Sequence, residues 1–396
     1  MSRIAWFCIP AWGHTNPTVE VVRVLTARGH QVRYYTFAPF REKLEAAGAE
    51  VRLCDKFMPP PPPDLDRRVG RDFASMVGML TDTALDMEAP VCQELEAWRP
   101  DLLVVDSVCL WGKLFAWKLQ LPWVCSTTTF AFNQQTAALM RPGLAETARM
   151  ALGLGRIRRD MARLRQRGYP AEDLRQLLEN RADTDTIVYT SRLFQPMTET
   201  FGDRFAFVGP SLPQVPPRKH RGDRPLVYIS LGTVMHRRPG FYRACFRALG
   251  GRDLDVVLSV GEATDPAALG PAPGNFRVER RVDQMAVLAE ADAFLTHCGM
   301  NSANEAIFCQ VPTIFFPQQG EEAAVADRME SLGLGVRLRR ETPAAIRQAV
   351  ETALGEPPRF RENAARVAES FRAAGGAGAA ADFLERVLDR KNSGRS

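Results

Sequence analysis

Two groups of residues in this chain have the types and spacing that chemistry needs. The first is the run Thr296–Glu321, THCGMNSANEAIFCQVPTIFFPQQGE. It follows the apolar stretch Ala293-Phe294-Leu295. Within it a glycine turn leads into a helical pattern whose Ser302-Ala303-Asn304-Glu305 has capping-box spacing. A helix start beside a glycine turn attracts anions, because its first N–H groups lack intrahelical acceptors and the positive dipole end lies there. His297, Asn301 and Ser302 add side-chain donors, so the expected chemistry is the holding of a phosphorylated ligand. By spacing alone, Glu305 would close the box on the Ser302 N–H.

The second group is His14 and Asp106. Gly13-His14-Thr15-Asn16-Pro17 follows the first apolar run, and a helical pattern then extends to Arg28-Gly29-His30. Asn16 fits an N-cap, Pro17 the first helical position and Gly29 the position just past the helix end. His14 would then lie at the C-terminal end of a strand, the edge at which open α/β sheets bind ligands. Pro100–Asp106 is an apolar strand ending in a carboxylate on that same edge. A buried aspartate accepting an imidazole Nδ1–H fixes the tautomer and leaves Nε2 to take a proton from a hydroxyl. Taken singly, His14 reads as a hydrogen-bonded loop residue and Asp106 as the N-cap of the next helix. It is their pairing that argues for general-base chemistry. His30 reads as a turn residue, and His220 and His236 lie in basic loops.

The elements that must position these groups are short apolar runs alternating with helical patterns, the mark of parallel α/β sheets. Strands are expected at Ile4–Ile9, Val32–Thr36, Leu102–Val105, Trp123–Ser126 and Ile187–Thr190, then at Leu226–Ser230, Val256–Val260, Ala293–Thr296 and Pro312–Phe316. With 396 residues there is length for two cores. The proline-dense stretch from Gly209 to Asp223 divides the chain into residues 1–210, a linker at 211–223, residues 224–375 and a terminal segment at 376–396. Pro59–Pro63 must be a surface loop.

Composition excludes several function classes. Apolar residues at 45% and charged residues at 24% describe a soluble globular chain, with no apolar run near the roughly 20 residues of a membrane span. The start, MSRIAWFCIPAWGH, reads as a first strand rather than a signal peptide. Eight cysteines without CxxC spacing suggest reduced thiols in a cytoplasmic protein, with no zinc. A net charge of +5 and no recognition motif give no support to nucleic-acid binding. Residues 141–181 carry ten arginines against five acidic residues, read as a solvated helical face, with an acidic acceptor or lipid surface as the other use. Asp-x-Asp triplets at Asp64, Asp183 and Asp253 sit in loops or at element edges away from any histidine, so no metal is expected. The lack of GxGxxG after the first strand speaks against a dehydrogenase.

Together these residues resemble a GT-B glycosyltransferase of the inverting, nucleotide-sugar-dependent family that includes bacterial macrolide and plant secondary-product glycosyltransferases. GHTNP with ARGHQV, PDLLVVD and LVYISLGT are similar to successive family motifs, and Arg281–Glu322 resembles the donor-binding box, so the likeness covers essentially the whole chain. The resemblance implies two doubly wound Rossmann-like domains facing each other across a cleft, acceptor side first. The terminal helix would cross back to the first domain, a hinge whose closure forms the site.

It also implies roles. His14 would be the general base, oriented by Asp106. His297 and the Gly299 amide, with Asn301 and Ser302, would contact the diphosphate; Gly232 and Thr233 would approach the phosphates or sugar. Glu305 and Gln284 would bond the ribose hydroxyls, the Val282 backbone would read the uracil, and Glu321 and Glu322 would meet the sugar. Three departures stand out. Arg281 replaces an aromatic residue that stacks on the base, Asp283 replaces a proline, and Glu322 replaces a glutamine. Two carboxylates facing the sugar would disfavour a uronate. The implied reaction is metal-independent transfer of a hexose from a uridine-diphosphate sugar, UDP-glucose first, to a hydroxyl of an apolar small molecule such as a phenolic, polyketide or macrolide. Phe57, Trp111, Phe130 and Phe132, with Phe37 and Phe40, would line the acceptor pocket or else belong to the core. A monomer or weak dimer is expected. The rival readings are an epimerase or hydrolase of nucleotide sugars and an inactive ligand-binding relative.

Overall fold

The structure is a computed structural model that describes residues 1–58, 72–136, 144–174, 177, 180–212, 223–232, 237–355 and 357–393. Thr233, His220, His236, Asp64, the Pro59–Pro63 run and most of the linker lie outside the described residues. The chain forms two compact units, Met1–Leu212 with Phe371–Ser396, and Pro213–Ser370.

The first unit is built on a seven-stranded sheet in the order β3-β2-β1-β4-β5-β6-β7. Its strands are β1 (Arg3–Phe7), β2 (Gln31–Thr36), β3 (Glu50–Leu53), β4 (Leu102–Asp106), β5 (Trp123–Thr127), β6 (Thr186–Val188) and β7 (Phe205–Phe207), and each pairing is parallel. β1 and β4 are near-continuous apolar runs because both faces of a central parallel strand are covered. The direction of strand addition reverses between them, with Phe7 opposite Val105.

The second unit carries six parallel strands ordered β10-β9-β8-β11-β12-β13. They are β8 (Leu226–Ser230), β9 (Asp255–Ser259), β10 (Phe276–Glu279), β11 (Ala293–Thr296), β12 (Thr313–Phe315) and β13 (Gly335–Arg337). Here the reversal falls between β8 and β11, with Ser230 opposite Thr296. Each unit therefore has one topological switch point, where an open sheet leaves a crevice at the carboxyl ends of its strands.

Helix α1 spans Trp12–Ala27, which corrects the expected start at Asn16-Pro17. Ala11 is the extended N-cap residue, and its carbonyl accepts the His14 and Thr15 N–H groups at 3.0 Å each. Pro17 lies inside the helix, where it has no N–H to give the preceding turn. Asn16 instead accepts a bond from Lys43 Nζ at 2.9 Å. His14 thus sits in the first turn of α1, not in a loop before it. The other end is as read: Gly29 takes φ +87, and the Gly29 and His30 N–H groups bond back to Thr26 and Leu25 carbonyls.

After Phe371 the chain rejoins the first unit, where helix Gly376–Ser393 packs on α1. Ala380, Leu384 and Val387 share a fully buried cluster with Val21, Val22 and Leu25. His30 is more than a turn residue, since its Nε2 lies 3.0 Å from Glu385 Oε1, and Arg28 reaches Asp382 and Glu385 at 2.7 Å each. Exposed ion pairs of this kind are worth about 0.2–1 kcal/mol, so the apolar seam dominates. In the basic segment, Arg156 pairs with Asp72, Arg163 with Asp82 and Asp160, and Arg167 with Glu88, as on a solvated face. None of the eight cysteines is in a disulfide, and all but Cys309 are buried. Among the described residues no helix is long and apolar enough to cross a membrane.

Candidate functional site

In the first unit the switch point brings the end of β4 beside the turn that leaves β1. His14 Nδ1 lies 2.7 Å from Asp106 Oδ2. Asp106 is only 1% exposed, while its other oxygen accepts the Val108 N–H at 2.9 Å. The carboxylate is therefore held from two sides, but it does not cap the next helix: Leu110–Lys118 has Cys109 as its N-cap residue, which corrects the N-cap reading of Asp106. The sequence reading missed Thr128, whose hydroxyl sits 3.1 Å from the same Nδ1. A single threonine past a strand carries no signal of its own. Lys113 was missed as well: its buried ammonium donates to the Ser107 and Leu177 carbonyls at 2.5 Å each, pinning the turn after Asp106.

In the second unit Gly232 lies just past β8 and His297 just past β11. The backbone takes positive φ at Gly232 (+76) and at Cys298 (+67). For a non-glycine residue such as Cys298 this costs about 1–2 kcal/mol, strain of the kind that gathers at ligand sites. A Cβ on Gly232 would lie 2.5 Å from the His297 ring, and one on Gly299 2.6 Å from its Nε2. The imidazole is nested between backbones that only glycine allows. Burial pushes its pKa from 6.5 down to about 4, and the Ser230 backbone offsets only part of that. At pH 7 the ring is neutral, so it would meet an anion as a hydrogen-bond donor rather than as a cation.

The following helix, Met300–Phe308, has Gly299 as its N-cap and no side chain capping it. It starts three residues earlier than a Ser302 cap requires, so the expected capping box between Ser302 and Glu305 does not form. Both side chains turn to Gln284, whose Nε2 donates to Ser302 Oγ at 3.1 Å and Glu305 Oε2 at 2.6 Å. Gln284 opens the short helix Gln284–Leu288, capped by Asp283, which accepts the Ala286 N–H at 3.1 Å. At this cap position the aspartate supplies an acceptor for a first-turn N–H. Val282 is half-buried against the cluster of Tyr228 and Phe294. Arg281 is exposed, with Glu262 Oε1 3.8 Å from its Nε.

Glu322 departs from the expectation of two carboxylates facing one sugar. It closes a capping box at the start of helix Gly320–Ser331, accepting the Gln318 N–H at 2.6 Å and the Gln319 N–H at 3.2 Å. It is 8% exposed, whereas Glu321 is exposed. Burial, helped by the Glu321 charge, raises the Glu322 pKa from 4.5 to about 7, against the lowering effect of those two bonds. An acid whose folded pKa is raised costs stability as pH climbs from about 4.5 to about 7, on the order of 3 kcal/mol here. Glu322→Gln keeps an acceptor oxygen and removes the charge. It should flatten the fall in Tm between pH 5 and 8 and raise Tm at pH 8; parallel Tm profiles would refute this account.

A family model, the C-terminal domain of erythromycin biosynthesis protein CIII-like proteins, matches residues 243–379. Over 394 residues the chain is 34% identical to the NDP-glycosyltransferase YjiC of Bacillus subtilis, covering 98% of this chain and 97% of that protein. The chain belongs to the NDP-glycosyltransferase family. This glycosyltransferase is also 30% identical, over 99% of its length and 98% of the relative's, to an uncharacterized UDP-glucosyltransferase, YojK, of the same organism. Its fold matches the crystal structure of the kitacinnamycin glycotransferase with a TM-score of 0.84, at 28% identity over 98% of this chain and 99% of that one. Both units are thus the Rossmann-like domains of a GT-B enzyme.

Two expectations about this glycosyltransferase need correction or sorting. Trp111 (1% exposed) packs edge-on to Phe37 at 6.4 Å, and Phe130 (7%) against Phe194 at 5.6 Å, so both are spent in the core. Phe40 is likewise buried against Trp12, while Phe57 and Phe132 remain half-buried. Asp183 pairs with Arg181, Asp185 with Arg204 and Arg390, and Asp253 and Asp255 with Arg224.

Proposed function

We propose that this enzyme inverts the anomeric carbon of a UDP-hexose, UDP-glucose first, while transferring the sugar to a hydroxyl of an apolar natural-product-like acceptor. The contact between His14 Nδ1 and a buried Asp106, at 2.7 Å, carries the reading. With Nδ1–H given to the carboxylate, Nε2 is the basic nitrogen and takes the acceptor's proton as its oxygen attacks. The new C–O bond forms as the bond to the diphosphate breaks. The negative charge gathering on the leaving group is met by the N–H groups at the start of Met300–Phe308, by neutral His297, and by Asn301 and Ser302.

Glu305 and Gln284 hold the ribose, the Val282 backbone reads the base beside Arg281, and Gly232, Thr233 and Glu321 approach the phosphates and sugar. Glu322 shapes the turn that carries Glu321. The family likeness supports these roles, and the UDP-glucosyltransferase and kitacinnamycin relatives support the donor and acceptor classes. Because Asp183, Asp185, Asp253 and Asp255 are paired with arginines, transfer should persist in a chelator.

A thermal-shift series tests the donor. UDP-glucose at about 100 times its Kd should add roughly 2.7 kcal/mol of stability. Transfer to a panel of phenols and macrolides then tests the reaction. If no nucleoside diphosphate raises Tm, the donor reading is wrong; release of free sugar with no acceptor product would make the enzyme a hydrolase.

A further inference from the structure

Helix Leu144–Gln166 presents one face to the first unit and another to water. Its inner face packs on helix Phe73–Trp98: Met161 and Leu164 are buried, and a Cβ on Gly153 would stand 2.8 Å from that of Ala74. On the outer face Leu152 is 85% exposed and Leu154 47%. Scattered exposed leucines are ordinary, so the charges around these two decide what they mean. Between Ala151 and Gln166 the only acidic residue is Asp160, which is buried and accepts from Arg163 at 3.2 Å. Arg156 and Arg163 also reach Asp72 and Asp82, at the start of the neighbouring helix and on it. Arg158 and Arg159 are exposed, and no carboxylate among the described residues pairs with either. Helical spacing sets Arg159 two turns beyond Leu152 and Arg158 one turn beyond Leu154, so the four share one acid-free face.

We propose that this face docks the enzyme on a bilayer surface containing anionic lipid, with Leu152 and Leu154 entering among the headgroups and Arg158 and Arg159 lying on lipid phosphates. Unpaired cations beside exposed apolar side chains, with no acid among them, are what an interfacial helix presents. Each arginine near an anionic surface strengthens adsorption about fivefold. A soluble acid would match the charges but leave the leucines in water, which favours the lipid. Position gives the contact a use. Helix Phe73–Trp98 runs back to the start of β4, so Ala74, and Gly153 against it, lie toward the carboxyl edge of the sheet, where His14 and Asp106 are. Docking through Leu152 and Leu154 brings that edge to the membrane, where an apolar acceptor dissolves. This use rests on the acceptor reading above; the docking itself does not.

The test is co-sedimentation of the full chain with vesicles of equal parts phosphatidylglycerol and phosphatidylcholine, against vesicles of phosphatidylcholine alone. The wild type should partition at least about tenfold more onto the anionic vesicles, and less as salt rises and screens the headgroup charge. Arg158→Gln with Arg159→Gln should weaken binding by about ten- to thirtyfold, and Leu152→Asn with Leu154→Asn by about three- to tenfold. All four side chains are exposed, so Tm and transfer to a water-soluble phenol should not change in these variants. Arg247→Gln with Arg366→Gln removes the same charge from exposed positions of the second unit and should alter binding by less than about twofold. A loss there equal to that of the helix pair overturns the assignment to this face. No binding by the wild type, or equal binding to neutral vesicles, overturns the proposal outright. Loss with the arginine pair but not with the leucine pair would make the face a site for a soluble acid or an acidic protein, and the lipid assignment would fall.

Discussion

His14→Ala should lower kcat by about 10²–10⁴-fold, the usual contribution of a positioned general base, while UDP-glucose still raises Tm. The expectation follows from geometry: the imidazole is 2.7 Å from a carboxylate that is itself held by the Val108 N–H. Asp106→Asn should cost a loss of the same order, because an amide at that place no longer holds the proton on Nδ1, and Nε2 is then not the basic nitrogen. Since the two residues act as one unit, the double variant should be little worse than either alone. Near-full transfer to an alcohol acceptor by His14→Ala would remove the base assignment. Additive losses would separate the pair.

Gly232→Ala should raise the donor KM at least tenfold and lower Tm by several degrees. The new Cβ would stand 2.5 Å from the His297 ring, and the residue would be forced to keep φ +76. The left-handed conformation costs about 1–2 kcal/mol and overpacking about 1–3 kcal/mol more. Gly299→Ala should act similarly through its 2.6 Å approach to Nε2. Adding His297→Ala to Gly232→Ala removes the ring that the methyl strikes. Much of the lost Tm should return, with donor KM still high, because the diphosphate contact has gone with the ring. Unchanged donor KM in Gly232→Ala would show that the His297 position does not matter to binding.

The central strands were legible because an inner strand of a parallel sheet must be apolar on both faces. LLVVD and LVYIS leave no alternative phase, and the expected bounds of β8 and β11 coincide with those found. The four strands not read from the sequence are β3, β7, β10 and β13, the edges of the two sheets. EVRL and FRVE carry charged side chains because an edge strand is open to water, and FAF and GVR are three residues long. The start of α1 was misread for a different reason. Asn-Pro is a good local helix signal, but the carbonyl of Ala11 had already captured the His14 and Thr15 N–H groups, five residues before Asn-Pro could act.

By itself the amino-acid order determined the two-domain α/β class, the membership carried by spaced motifs, and the candidates His14, Asp106, His297, Gln284 and Glu305. His14, Asp106, His297 and Glu305 are stated by residue type beside a strand end or a glycine turn, which is local information, and Gln284 by the family resemblance. Only the tertiary structure decided which partners those side chains have. Thr128 reaches His14, Tyr228 anchors Gln284, Glu305 leaves its capping box, and Glu322 enters one. Buried polar atoms must find partners wherever the fold sets them, and folding brings together donors and acceptors whose separation along the chain leaves no pattern in sequence.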